Sequence, residues 1–282
     1  DQCLRFFIGD VRDRMRLKQA MRNVDYVVHA AALKQVPAAE YNPMECVKTN
    51  VFGGQNVIDA ALQQNVKQVV SLSTDKAANP VSIYGASKLI ADKLFVAANH
   101  IIHPSQTKFS IVRYGNVAGS RGSVLAQFKK IAVANKSEFP ITDLRMTRFW
   151  LTVSHGVDFT IEVFQRMRGG EIFVPKVPSV KIKDLVESMS CNAQFKVIGI
   201  RPGEKIHELL ITQEDSRYTI EFDGHFVIVP AASVEEHEQY IQNMKGETGK
   251  LVEEGFEYHS GTNKDFLTIE QIKELNRTIV NA

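Results

Sequence analysis

Residues 69–88 run Val69-Val70-Ser71-Leu72-Ser73-Thr74-Asp75-Lys76, pass a joint at Ala77-Ala78-Asn79-Pro80, and continue to Ile83-Tyr84-Gly85-Ala86-Ser87-Lys88. The first part is an apolar, β-branched run closed by small polar residues, the pattern of a strand covered on both faces. From Ile83 to about His100 the pattern becomes helical. Strand, polar turn and helix make half of a βαβ unit, and the alternation continues outward on both sides. It predicts strands at Leu4–Ile8, Tyr26–His29, Val69–Ser73 and Phe109–Tyr114. The helices expected between and after them are Arg14–Arg22 with Asp13 as N-cap, about Met44–Gln64, Ile83–His100 and Val124–Ala134. This is an α/β chain built on a doubly wound parallel sheet.

After about Phe139 the texture changes. Short strands are expected at Ile172–Val174, Val197–Ile200 and His225–Val229, with helices near Gly156–Met167 and Ile182–Met189. Pro140, Gly169-Gly170, Pro175, Pro178 and Pro202-Gly203 punctuate the joints, and the polar tail carries a helix at Ile269–Val280. The organisation expected is a nucleotide-binding sheet over residues 1–138 and a smaller substrate-covering region with the tail over residues 139–282.

Composition narrows the function classes. The chain has 282 residues, 44% hydrophobic and 23% charged, with 34 basic and 32 acidic side chains for a formal net charge of +2. That balance offers no electrostatic reason for nucleic acid or an anionic membrane as partner. Cys3, Cys46 and Cys191 lie far apart without C-x-x-C spacing, which argues against a zinc site or disulfide framework and fits a reducing cytoplasm. No apolar run approaches the roughly 20 residues that span a bilayer.

Ligands of open α/β sheets bind beyond the carboxyl ends of the strands. The four expected strands end in Gly9-Asp10-Val11, Ala30-Ala31-Ala32, Ser73-Thr74-Asp75-Lys76 and Tyr114-Gly115-Asn116-Val117. An acid that can accept from an adenine amine, a wall of small residues and two polar turns together suit a dinucleotide. Singly, an Asp after a strand is usually a helix cap and three alanines are usually packing.

Tyr84 and Lys88, at i and i+4, share one helix face. A phenol is a poor base at neutral pH, but a nearby ammonium favours the phenolate. Lys88 can be that cation and also bond a nicotinamide ribose, so the pair can take a proton from a hydroxyl while hydride leaves the same carbon. Tyr-x-x-x-Lys alone is common by chance. Its place, opening the helix after a strand that ends in Ser73-Thr74, favours the functional reading.

With these residues the chain resembles the short-chain dehydrogenase/reductase superfamily in its extended, sugar-nucleotide-modifying branch. More narrowly, it resembles the inverting UDP-N-acetylglucosamine 4,6-dehydratases that open pseudaminic acid synthesis. The likeness runs through nearly the whole chain. It is carried by residues 6–13, 29–34, 71–80, 113–117, 120–123, 142–150 and 201–205, the last being Arg201-Pro202-Gly203-Glu204-Lys205. The resemblance implies Lys76 as the base for the C5 proton, Asp75 as the acid assisting departure of the C6 hydroxyl, and Thr74, Tyr84 and Lys88 completing the catalytic set. It implies NADP held by Asp10, Val11, Ala30, Lys34, Tyr84, Lys88 and Val117. A UDP-N-acetylhexosamine would lie against Lys34, Leu72, Ser73, Asn116, Ser120, Arg121, Gly122, Ser123, Arg201 and Glu204. Lys34, Arg121 and Arg201 suit its phosphates, since cations, and guanidinium forks above all, match phosphate oxygens. A homo-oligomer, a hexamer, is implied as well. Arg145 and Arg148 are weaker candidates, as either suits a structural ion pair, and Trp150 reads as core. An adjacent Asp and Lys would ordinarily rest as carboxylate and ammonium, the wrong states for these roles; the cationic nicotinamide ring and Lys88 would push Lys76 toward neutral, and burial would push Asp75 toward its acid form.

No G-x-G-x-x-G turn is present, although such a fold binds pyrophosphate on one. The chain opens at Asp1 without Met and runs at once into an expected strand, as if entered partway through a domain. The expectation is that two strands of the sheet, with the glycine turn, are missing from between Leu4–Ile8 and Tyr26–His29 in space, about 50–60 residues in all. On that expectation this chain alone would bind cofactor poorly and be inactive. Three rivals stay open: a sugar-nucleotide epimerase, which would need Tyr84 and Lys88 but not Asp75-Lys76; a non-catalytic binding protein on the same fold; and a retaining, membrane-bound dehydratase, against which the resemblance sets Tyr84, where those relatives often carry Met.

Overall fold

The computed structural model describes residues 3–101, 107–120, 124–134, 137–190, 192–230 and 238–280. The first strands are β1 (Tyr26–His29), β2 (Gln68–Thr74) and β3 (Lys108–Tyr114). Around them lie helices α1 (Arg14–Ala20), α2 (Val36–Tyr41), α3 (Pro43–Val47), α4 (Gly53–Gln63) and α5 (Ile83–Ile101). Asp13 caps α1 by accepting from the Arg16 amide at 2.9 Å, as expected.

Successive residues of β2 face opposite ways. Val69 packs with Val57 and Ile58 of α4 and Phe95 of α5, whereas Val70 packs with Phe159, Val163 and Met167 on the other side. The latter group includes residues of the later helix α7, so the sheet is covered on both faces and doubly wound. Each fully buried large apolar side chain in these layers contributes roughly 1.5–3 kcal/mol relative to exposure.

The later elements are β4 (Asn116–Val117), α6 (Val124–Val133), β5 (Glu138–Ile141), β6 (Thr147–Leu151), α7 (Val153–Arg166), β7 (Ile172–Pro175), β8 (Ser179–Lys181) and α8 (Ile182–Glu187). They are followed by β9 (Gln194–Val197), β10 (Leu209–Ile211), β11 (Thr219–Glu221), β12 (His225–Ile228), β13 (Lys250–Leu251), β14 (Tyr258–His259) and α9 (Ile269–Val280). The main sheet has seven strands in the order β1-β2-β3-β7-β12-β11-β13. Its β1-β2-β3-β7 part is parallel, and β12, β11 and β13 extend it antiparallel. The sheet therefore takes strands from both sides of residue 139. A second core, including Leu125, Phe128, Phe139, Trp150, Leu185 and Ile272, gathers α6, β5, β6, α8 and α9 into a smaller lobe.

Three expectations need correction. Leu4–Ile8 is not a strand: its apolar composition suits one, but among the described residues no ladder partner lies beside it, and Phe6 and Ile8 are exposed. The single helix expected over Met44–Gln64 is interrupted by a π-helical turn at Lys48–Phe52. The strand expected at Val197–Ile200 is shifted to β9. Its pairing with β5 ends at Val197, and Gly199 turns the chain away at φ +85°. Among the described residues no helix is long and apolar enough to cross a membrane.

Candidate active site

The carboxyl ends of β1, β2 and β3 open onto a cavity of about 690 Å³, closed on its far side by residues of the smaller lobe and of the segment before β10. It is lined by Ala30, Lys34, Leu72, Ser73, Thr74, Asp75, Lys76, Tyr84, Lys88, Asn116, Val117, Ser120, Arg201 and Glu204, so most of the residues singled out in the sequence converge here. Asp10 and Val11 are not on its wall. The Asp10 carboxylate takes hydrogen bonds from the Arg12 guanidinium and amide, which hold it at about 2, and Val11 packs over Gly53. Arg121, Gly122 and Ser123 lie outside the described residues.

The turn after β2 is a short 3-10 helix, Asp75–Ala77, capped by the Thr74 hydroxyl accepting from the Lys76 amide. Helix α5 approaches this turn so closely that a Cβ on Gly85 would collide with the Lys76 carbonyl oxygen, which explains a glycine directly after the tyrosine. The close approach sets Tyr84 beside Thr74 and Lys76. Thr74 Oγ1 donates to Asp75 Oδ1 at 2.9 Å, and Lys76 Nζ donates to the same oxygen at 3.0 Å. Asp75 Oδ2 is buried without a hydrogen-bond partner.

Glu208, absent from the sequence-based set, is a second acid at Lys76. Its Oε1 lies 3.3 Å from Lys76 Nζ and 3.7 Å from Arg148 Nε, and its Oε2 is a buried oxygen without a hydrogen-bond partner. Burial alone would lower the Lys76 pKa, but the Asp75 and Glu208 carboxylates outweigh it and push the group up. Lys76 thus rests as an ammonium. Lys88 differs. It is 3% exposed, Nζ donates to Leu72 O at 2.8 Å, and burial pushes its pKa down against the opposing charge of Asp92. Burial also pushes Tyr84 up to about 12, and the influences opposing this are the Lys76 ammonium and the Thr74 hydroxyl. The charge that opposes this rise is thus that of Lys76, whereas Lys88 was expected in that role.

Other candidates divide by what their atoms already hold. The Ser73 hydroxyl donates to Asp92 Oδ2 at 2.7 Å and so points into the protein. Asn116 Oδ1 is buried without a partner. Arg201 and Glu204 approach each other to 3.9 Å and leave much of the guanidinium exposed. Arg148 does line the cavity, but it donates to the carbonyls of Thr147, Lys205 and Ile206 and so holds the 205–208 segment in place. Arg145 forms an exposed pair with Asp143, and Trp150 is core, both as read in the sequence.

The donor set suits a nicotinamide dinucleotide. Ala30 and Ala32 present a flat wall, and the Lys88 ammonium spends one of its three N–H donors on Leu72 O. Asn116 Oδ1 offers an unused acceptor. Among the described residues no group of three or more His, Cys, Asp or Glu could hold a metal.

Comparison with known proteins agrees with this geometry. The chain is 53% identical over 274 residues to the inverting UDP-N-acetylglucosamine 4,6-dehydratase of Campylobacter jejuni subsp. jejuni, covering 97% of this chain and 82% of the relative. A UDP-glucose 4-epimerase of Rickettsia akari is 38% identical over 280 residues, covering 98% and 80%. Among solved structures, Pen from Bacillus thuringiensis superposes with a TM-score of 0.84 at 37% identity, over 100% of this chain and 83% of that one. The dTDP-glucose 4,6-dehydratase DesIV from Streptomyces venezuelae, solved with NAD and TYD bound, gives 0.65 at 25% identity over 73% and 70%. The model of a family described as polysaccharide biosynthesis protein matches residues 1–230, and the chain belongs to that family.

Proposed function

We propose that this chain is a UDP-N-acetylglucosamine 4,6-dehydratase that inverts C5. The observation that carries the reading is the Asp75–Lys76 contact at 3.0 Å, its carboxylate buried and its amine part-buried, opening into the cavity directly beside Tyr84. Simple oxidation at C4, or epimerisation there, needs a base for one hydroxyl proton and a cation for the ribose. Tyr84 and Lys88 suffice for that. Elimination across C5–C6 needs, in addition, an acid and a base side by side, and the turn after β2 supplies a carboxyl and an amine.

The chemistry follows from the residues. Tyr84 takes the proton of the C4 hydroxyl, with Thr74 orienting its oxygen. Ala30, Ala32 and Lys88 would hold a nicotinamide cofactor, which when bound would supply the acceptor for the C4 hydride, its donor at C6 and a ring charge that favours the neutral amine at Lys76. Moving one proton across the Nζ–Oδ1 contact converts ammonium and carboxylate into amine and carboxylic acid without exchange with solvent. Lys76 then takes the C5 proton, acidified by the C4 ketone, while Asp75 gives its proton to the departing C6 hydroxyl, which leaves as water. Both groups end in their resting charge states, so the wrong resting states expected from the sequence are one proton transfer away from the right ones. C5 receives a solvent proton from the opposite face, which inverts it, and Tyr84 releases the C4 hydroxyl proton to solvent, so that every group returns to its starting state.

The finer parts of the reading follow the resemblance: NADP as the form of the cofactor, a homo-oligomer, a cytoplasmic setting and a product that feeds pseudaminic acid. Asp10 and Val11 are assigned to the cofactor, with the seven-stranded sheet as its platform. Lys34, Arg121 and Arg201 are assigned to the diphosphate, and Leu72, Ser73, Asn116, Ser120, Gly122, Ser123 and Glu204 to the rest of the nucleotide sugar, with the smaller lobe as its cover. The reading is tested by incubating the full-length protein with UDP-N-acetylglucosamine and NADP, then identifying the product by mass and NMR. Loss of one water with inverted C5 is expected. A 4-epimer of unchanged mass would overturn the reading in favour of the epimerase, the activity named for the Rickettsia relative.

A further inference from the structure

Glu208 lies three residues beyond the Arg201–Lys205 string, just before β10, and two parts of the chain place it. Its amide donates to Ser260 Oγ at 2.9 Å and its carbonyl accepts from the Ser260 amide at 2.9 Å, so the segment after β14 pins the backbone on both sides. Arg148 braces the preceding residues through two backbone carbonyls, those of Lys205 and Ile206. The side chain is 2% exposed, yet it belongs to the cavity wall. Burying a carboxylate with one oxygen lacking a hydrogen bond is costly unless a cation compensates it. Arg148 would suffice for a purely structural pair, but at 3.3 Å Lys76 is the nearer cation.

We propose that Glu208 is a positioning residue of the elimination step: its carboxylate fixes Lys76 Nζ against Asp75 and carries the positive charge that Lys76 gains on taking the C5 proton. This rests on the dehydratase reading above. The charged and titratable groups facing Lys76 are Asp75 on its own turn, Tyr84 from α5, Arg148 from β6, and Lys205 and Glu208 from the segment before β10. The cations Arg148 and Lys205 oppose an ammonium at this point. Among the described residues two carboxylates favour it, and Asp75 is neutral until it gives its proton to the departing hydroxyl. Glu208 is the counter-charge that stays in place throughout, before Asp75 regains its own.

The test is Glu208→Gln in the full-length protein, with Glu208→Asp as the companion that keeps the charge and shortens the reach. Without substrate, trace acetic anhydride across a pH series, with Lys76 acetylation read by mass spectrometry, reports the amine directly. Glu208→Gln is expected to raise Lys76 labelling at neutral pH about tenfold, the equivalent of one pKa unit. In turnover the active pair must keep its one shared proton, so the falling limb of kcat against pH should move about one unit to lower pH, and the plateau should fall by about tenfold or more with KM within about twofold. Glu208→Asp should keep the limb where the wild type has it while lowering the plateau. Wild-type labelling and an unmoved limb in Glu208→Gln would overturn the proposal. A wild-type protein that removes no water would instead overturn the dehydratase reading, whatever the labelling shows, and so the two failures are told apart.

Discussion

The turn after β2 and the first turns of α5 each bring a lysine to the same cavity, Lys76 part-buried and Lys88 buried, and they tune it in opposite directions. Lys76, on the turn, lies within 3.3 Å of two carboxylates and is held as an ammonium. Lys88, one helical turn past Tyr84, donates to a backbone carbonyl, and burial pushes its pKa down. The difference teaches that burial alone does not set a lysine's role; the acids placed beside it do. A lysine between two acids can trade a proton with one of them. A lysine against a carbonyl has N–H donors left for holding a ligand.

The largest effect expected from breaking this contrast is in Lys76→Met, which should lower kcat for water loss by about 10²–10⁴, the usual worth of a general base, with little change in KM. Steady-state product formation reads it. Lys88→Met should act more through binding, weakening cofactor retention and lowering kcat/KM by about tenfold to a hundredfold, as measured by cofactor titration alongside turnover. An equal loss of kcat at unchanged cofactor affinity in both variants would erase the distinction.

Gly85→Ala tests the spacing between the two lysines. The new Cβ collides with the Lys76 carbonyl, so α5 must move away from the turn. A stability loss of about 1–3 kcal/mol is expected in denaturant unfolding. The smallest effect concerns His29, buried at the end of β1 and pushed down to about 4, first by burial and then by the Lys88 charge. Because its folded pKa lies below the unfolded value of about 6.5, its neutral state stabilises the fold above that pH. That stability is lost as pH falls from about 6.5 toward 4. In Lys88→Met the NMR titration of His29 should move upward by a fraction of a unit, while in Lys76→Met it should stay in place.

Local pattern made much of this legible. The runs at Tyr26–His29, Val69–Ser73 and Phe109–Tyr114 became β1, β2 and β3 within a residue or so; β2 and β3 are buried along most of their length and so must be apolar there, whereas β1 leaves Tyr26 and Val28 exposed. Tyr84 and Lys88 fall on one helix face by periodicity, and Asp75-Lys76 follows the strand directly. Most of the cavity wall was therefore readable from the ends of strands. The rest depends on partners distant in sequence. Leu4–Ile8 has a strand's composition but no neighbouring ladder, and composition cannot supply one. Glu208 reaches Lys76 only because β10 pairs with β14, fifty residues further on, and Ser260 clamps its backbone. The polar tail showed no pattern of its own that would announce this. Arg148 looked equally suited to a ligand or an ion pair, and its carbonyl partners decide the matter.

The most direct test of the central claim, that Asp75 and Lys76 together perform the elimination, is a turnover experiment in D2O comparing wild type with Lys76→Met. The account predicts that the wild type loses the 6-hydroxyl and gains one solvent deuterium at C5, while Lys76→Met does neither at a comparable rate. Water loss with C5 deuteration in Lys76→Met at the wild-type rate would contradict it.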